Sequence, residues 1–242
     1  MNSKQSMMMC GVLDGSLPTL TQPARAQEYK GMTLQVLGVN SDINAIYMKK
    51  VDEPFEKLAG AKLVIVTGSS TGNLSKALVV KDRTPPFSVI ALENLTQAQA
   101  ITAGAIQKLD CTKLPNAKDL APGAVPVAGY GPAFDFFRFG TCVNVVQYNA
   151  HNIAPPKSID DWFNPAIAGQ PVDFFPLNLH IKGKAYAYAI GVDTFEIPSG
   201  VTGKQLELAH IFINLSLDPS AQLPVTHQFG YPPASVTGIK NL

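Results

Sequence analysis

Lys62-Leu-Val-Ile-Val-Thr-Gly-Ser-Ser-Thr-Gly72 is the stretch on which the fold turns. Its branched apolar run predicts a strand buried on both faces. Gly68 predicts a turn, and Ser69, Ser70 and Thr71 predict the start of a helix running to about Val80. A strand feeding directly into a helix is half of a βαβ unit, and both flanks repeat it. Upstream, residues 34–39 read as a strand, and the polar trio Asn40, Ser41 and Asp42 can cap a helix to about Leu58. Ile43, Ile46, Tyr47, Phe55 and Leu58 roughly suit one helical face, while Pro54 predicts a break or kink and Gly60 a stop. Downstream, Pro85 and Pro86 interrupt the chain, residues 87–92 read as a third strand, and residues 96–106 as an Ala- and Gln-rich helix. This β-α-β-α-β-α order predicts an α/β fold with a parallel sheet and helices on both faces. Ligands of such sheets sit at the carboxyl ends of the strands. Those ends are Asn40–Asp42, Gly68–Thr71, and Glu93 with Asn94.

The remainder is less periodic. Residues 110–135 are rich in Pro and Gly, and 141–148 read as a strand. Ser158 to Asp161 resembles a capping box before Trp162, and residues 169–183 are irregular. Residues 185–195 read as a strand and 201–217 as a helix. Asp218 and Pro219 predict a further short helix that stops at Pro224.

The chain has 242 residues, of which 46% are hydrophobic and 15% charged, with a formal net charge of +1. That apolar content excludes a disordered chain, and no apolar run is long enough to span a membrane as a helix. A balanced charge offers no field for nucleic acid. Residues 1–26 stand apart. Lys4 precedes an apolar run at 7–13, and Ala24-Arg25-Ala26 supplies the small-x-small pattern that a signal peptidase accepts. The segment reads as a signal peptide and implies export to the periplasm; the alternatives are a plain tail or a lipid anchor at Cys10. In an oxidising compartment Cys111 and Cys142 can pair; two buried thiols are the alternative.

The chemistry-bearing candidates are few. The loop at 68–72 has the free N–H groups of a helix start and three hydroxyls, which suit polar oxygens or simple capping. It lacks the spacing and the lysine of a phosphate loop. No Gly-x-Ser-x-Gly hydrolase motif occurs, and no two of His151, His180, His210 and His227 are four residues apart on a helix, so no metal site is expected. Tyr186 and Tyr188 share a strand face, as iron-binding tyrosines do, but packed aromatics do the same. Phe134, Phe136, Phe137 and Phe139 near Tyr130 read as core or cleft wall, and Asp193 stands out within an apolar strand.

Several segments, in order, resemble the bacterial extracellular solute-binding proteins of ABC transporters, the spermidine/putrescine-like group. They are Glu53-Pro-Phe-Glu-Lys57 with Gly60, the strand and loop at 64–71, Pro86-Phe-Ser-Val-Ile90, and 100–110 ending in Asp110. Phe139-Gly-Thr with Tyr148-Asn149 follows, and then Pro155-Pro-Lys-Ser-Ile-Asp-Asp-Trp-Phe-Asn-Pro165. Asp193-Thr194 with Ile197-Pro-Ser-Gly200 and the helix to Leu217 completes the series. The resemblance implies a type II periplasmic-binding-protein-like fold of two α/β lobes. Lobe 1 would take residues 27–140, the crossing strand and a reduced lobe 2 residues 141–190, and the return to lobe 1 residues 191–242. It implies ligand contacts at Asn40, Asp42, Ser69, Ser70, Thr71, Glu93, Tyr130 and Asp193. It implies a monomer that delivers a small polar solute (polyamine, amino acid or organic acid) to a membrane permease, with no cofactor and no catalysis. The family builds most of its second lobe between the Gly169 and Asp193 positions, where this sequence has only about two dozen residues, so that lobe must be abbreviated. A non-binding scaffold and an enzyme on the same frame are the alternatives.

Overall fold

The computed structural model describes residues 28–242 apart from 40, 82, 126, 139–141, 144, 155–160, 162–164, 166–171, 174–179, 182–183 and 186–189. The expected signal peptide therefore lies outside the described residues.

The elements run β1 (Thr33–Val39), α1 (Ser41–Ala59), β2 (Lys62–Gly68), α2 (Ser70–Val79), β3 (Val89–Glu93), α3 (Asn94–Ala103) and β4 (Ile106–Gln107). Short 3-10 turns between Cys111 and Gly129 lead to β5 (Ala133–Arg138), β6 (Cys142–Val143) and α4 (Val145–Ala150). Then come β7 (Val172–Asp173), β8 (His180–Ile181), β9 (Lys184–Ala185), β10 (Ile190–Pro198), α5 (Gly203–Ser216), α6 (Pro219–Phe229) and α7 (Val236–Lys240). The chain divides into two compact units. Unit 1 holds residues up to Phe136 and from Val192 onward; unit 2 takes only Phe137–Gly191. Within unit 2, β6 pairs with β7 and β8 with β9, both antiparallel.

The main sheet has the order β2-β1-β3-β10-β4, with β5 also paired to β10. β1 lies parallel to β2 and β3, and β10 runs antiparallel to β3 and β4. Successive side chains of a strand point to opposite faces, and β3 shows what that does here. Val89 and Ala91 join one core with Val51, Phe55 and Ala59 of α1 and Leu208, Phe212 and Ile213 of α5. Ile90 and Leu92 join a second with Leu74 and Ala77 of α2 and Ala100 of α3.

Two helices continue past prolines that predicted an interruption. Pro54 lies inside α1, which continues to Ala59. Val51, Phe55 and Ala59 recur at four-residue spacing and are fully buried, so their packing outweighs the roughly 3 kcal/mol that an interior proline costs. Pro224 likewise lies inside α6, whose Ala221, Gln222 and Val225 are buried. A third correction concerns β2. It is an edge strand, and Val64 and Val66 are 42% and 36% exposed. α2 packs on β1 and β3 rather than over β2, which leaves one face of β2 uncovered. A fourth lies at 141–148: a two-residue strand and the helix α4 replace the expected strand. The longer strand, β5, starts earlier, in a stretch whose Pro and Gly content argued for loop.

Candidate functional site

The carboxyl ends of β1 and β3 are tied together by one side chain of α2. Asn73 is fully buried, and its amide nitrogen donates to the carbonyls of Leu37 (3.2 Å), Gly38 (3.1 Å) and Ala91 (3.0 Å). Gly68 makes room for it, since a Cβ there would lie 2.6 Å from Asn73 Oδ1. Asn73 opens an Asn-x-Ser glycosylation motif, but burial commits it to the fold. Asn73→Ala removes the donor that these three carbonyls share, and a loss of about 2 kcal/mol is expected in urea unfolding. A change below about 0.5 kcal/mol would contradict this role.

The serine loop divides its labour. Ser69 caps α2 by accepting from the Gly72 N–H at 3.1 Å. Ser70 is buried; its hydroxyl bonds that of Thr96 and accepts from the Glu93 N–H at 2.8 Å. Ser70 thus fastens the start of α2 to the end of β3 and faces inward. Ser69 and Thr71 remain exposed on the rim, their hydroxyls 3.5 Å apart.

Beside the end of β3 stands Asp193 of β10, in register directly opposite Glu93. Glu93 is exposed, whereas Asp193 is 6% exposed and Asp135 of β5 only 2%. Burial, and then the Glu93 charge, pushes the Asp193 carboxyl up to about 7. Burial and the neighbouring Asp193 charge raise Asp135 well above the usual carboxylate range. Both oxygens of Asp135 and Oδ1 of Asp193 are buried without a hydrogen-bond partner. Tyr231, beyond α6, lies within the field of all three carboxyls, and burial together with their charges raises its phenol. A wall of carboxyl groups with spare acceptor oxygens suits a cation that brings its own N–H donors.

Other expected residues fall elsewhere. Asn40 lies outside the described residues, and so does the side chain of Asp42 on α1. Tyr130 packs against the α2–α3 core, whereas Phe195, on the same strand face as Asp193, belongs to the other core. Beside Tyr130, the Gly131 N–H donates at 2.8 Å to Glu196, a buried carboxyl that also accepts from Gln97 at 2.5 Å. Burial raises Glu196 to about 7 against those hydrogen bonds. It is a satisfied internal strut.

Asp135 and Tyr231 were not anticipated. Asp135 carries the signal that singled out Asp193, a lone carboxylate in an apolar run, Ala133-Phe-Asp-Phe-Phe137. Tyr231 carries no such signal.

No family model matches the sequence, and no curated protein is similar to it. Solved structures are. The spermidine/putrescine ABC transporter substrate-binding protein PotD from Streptococcus pneumoniae matches with a TM-score of 0.66 at 12% identity, over 88% of this chain and 86% of that one. The Atu4243-GABA receptor matches with a TM-score of 0.63 at 16% identity, over 87% and 85%. An ABC transporter structure from Clostridium perfringens matches with a TM-score of 0.57 at 17% identity, over 84% and 86%. The chain therefore has the periplasmic-binding-protein-like fold of ABC-transporter substrate-binding proteins, with an abbreviated second lobe.

Proposed function

We propose that the protein is an extracytoplasmic, monomeric solute-binding protein, without catalytic activity, that captures a small ammonium-bearing solute and passes it to an ABC transporter permease. The observation that carries the choice of solute is the buried pair Asp135 and Asp193 with spare acceptor oxygens, beside Glu93. Polyamines and amino acids with a free terminal amine present N–H donors to such acceptors. Organic acids without an amine bring only negative charge, which these carboxylates repel. The exposed hydroxyls of Ser69 and Thr71 sit on the same strand-end rim and supply secondary polar contacts. Two of the structural neighbours support the reading, since their descriptions concern spermidine/putrescine and GABA.

A thermal-shift screen tests it with putrescine, spermidine, γ-aminobutyrate, succinate and glutarate at pH 8. A ligand that binds only the folded state raises the midpoint. At least one amine is expected to raise it by several degrees, and the dicarboxylates are expected to leave it in place. A shift confined to the dicarboxylates would assign the opposite solute class.

A further inference from the structure

An isolated carboxylate survives in a protein interior only when it is paired or hydrogen-bonded; otherwise it takes up a proton. Asp135 and Asp193 are both more than nine-tenths buried, act on each other directly, and have three oxygens without a donor. Among the described residues, the other titratable groups in this cluster are Glu93 from β3, whose charge acts on Asp193, and Tyr231 from the segment after α6, which feels all three carboxyls. Glu93 adds negative charge, and a neutral phenol removes none. Two ionised carboxylates at this position would therefore repel without compensation. One proton between the two removes that repulsion, the pattern by which paired aspartates titrate as a unit.

We propose that Asp135 and Asp193 share a proton while the site is free, and that an incoming alkylammonium group displaces it, making the protein a proton-for-cation exchanger. The exchange deepens the solute reading above and rests on it. The balance is simple. The ammonium keeps all its protons, the carboxyl O–H bond breaks, its proton leaves to water, and both carboxylates then face one cation. Asp135 becomes a ligand-binding residue in its own right. Affinity accordingly rises with pH, because protons and solute compete for the same oxygens. Ammonium groups on short alkyl chains titrate near lysine, about 10, so the solute itself contributes little below pH 8.5.

The test is calorimetric titration of the intact protein with putrescine, and with γ-aminobutyrate, at pH 6.5 in buffers of contrasting ionisation heat. The slope of apparent enthalpy against buffer heat counts the protons released. About one proton per bound cation is expected, with the association constant rising up to about tenfold per pH unit while the pair is protonated. Asp135→Asn has no proton to surrender and can donate to Asp193, so release is expected to drop toward zero. If the variant does not fold, the wild-type buffer dependence decides alone. Binding with buffer-independent heat, or a folded Asp135→Asn that releases as many protons as wild type, overturns the exchange and leaves the solute reading standing. No binding by any amine up to pH 8.5 removes the solute reading, and the exchange with it.

Discussion

Asp193→Asn is expected to weaken putrescine binding at pH 8 by about a hundredfold or more, close to 2.7 kcal/mol. The substitution preserves shape and removes charge. It also turns an N–H donor toward a ligand that brings only donors, so part of the loss is a donor–donor conflict. The ligand-free protein should behave differently. Asp193 is held up to about 7 by burial and by Glu93, so its ionisation opposes folding. A group raised in the folded state stabilises it below the unfolded pKa and loses that contribution as pH rises through about 7. An amide at this position does not titrate. The variant's melting temperature at pH 8 should therefore equal or exceed that of the wild type while its affinity collapses. Calorimetry and thermal melting of one preparation separate the two effects. Unchanged affinity would place the solute elsewhere.

Phe195→Ala is expected to cost about 3–5 kcal/mol in denaturant unfolding. Phe195 is 4% exposed, stacks on Phe134 with ring centroids 4.1 Å apart, and meets Phe212 edge-on at 5.0 Å. It joins β10, β5 and α5 in one aromatic contact. Its loss leaves a ring-sized void that close-packed neighbours fill only partly. Phe195 also lies two residues from Asp193 on the same strand face, so the truncation loosens the wall behind the carboxyls. Phe195→Leu retains most of the volume and should cost roughly half as much. A loss below about 1 kcal/mol for the alanine variant would show that this contact is not part of the core.

The alternation from β1 to α3 was legible because each element carried its own local signal. Those signals were a branched run at 62–67, a cap at Ser69, a stop at Gly60 and a double proline at 85–86. Tertiary packing decided where the reading failed. Pro54 and Pro224 read as breakers because local propensity cannot register how much a buried helix face contributes. β2 read as buried on both faces because an apolar run does not reveal whether a helix will cover it. Strand β5 was hidden in a Pro- and Gly-rich stretch. At the candidate site, Glu93 was legible as a strand end, Asp193 as a lone carboxylate in an apolar strand, and the loop through its hydroxyls. Ser70 proved to be an internal tie, because a hydroxyl beside a helix start serves the fold as readily as a ligand. Asp135 and Tyr231 come to the site across long sequence separations that no local pattern encodes.

The position of β10 also has a kinetic consequence. It is the neighbour of both β3 and β4, yet more than eighty residues of chain separate it from either. Until the ribosome has passed Pro198, the growing chain carries β1, β2 and β3 with an open hydrogen-bonding edge, and Phe134 without its stacking partner. Loop closure over that distance is slow compared with local helix formation. The nascent chain consequently stays incompletely folded through most of its synthesis. Export as proposed above would require the chain to remain threadable until it has crossed the membrane, and a sheet whose interior strand β10 arrives late meets that demand by topology alone.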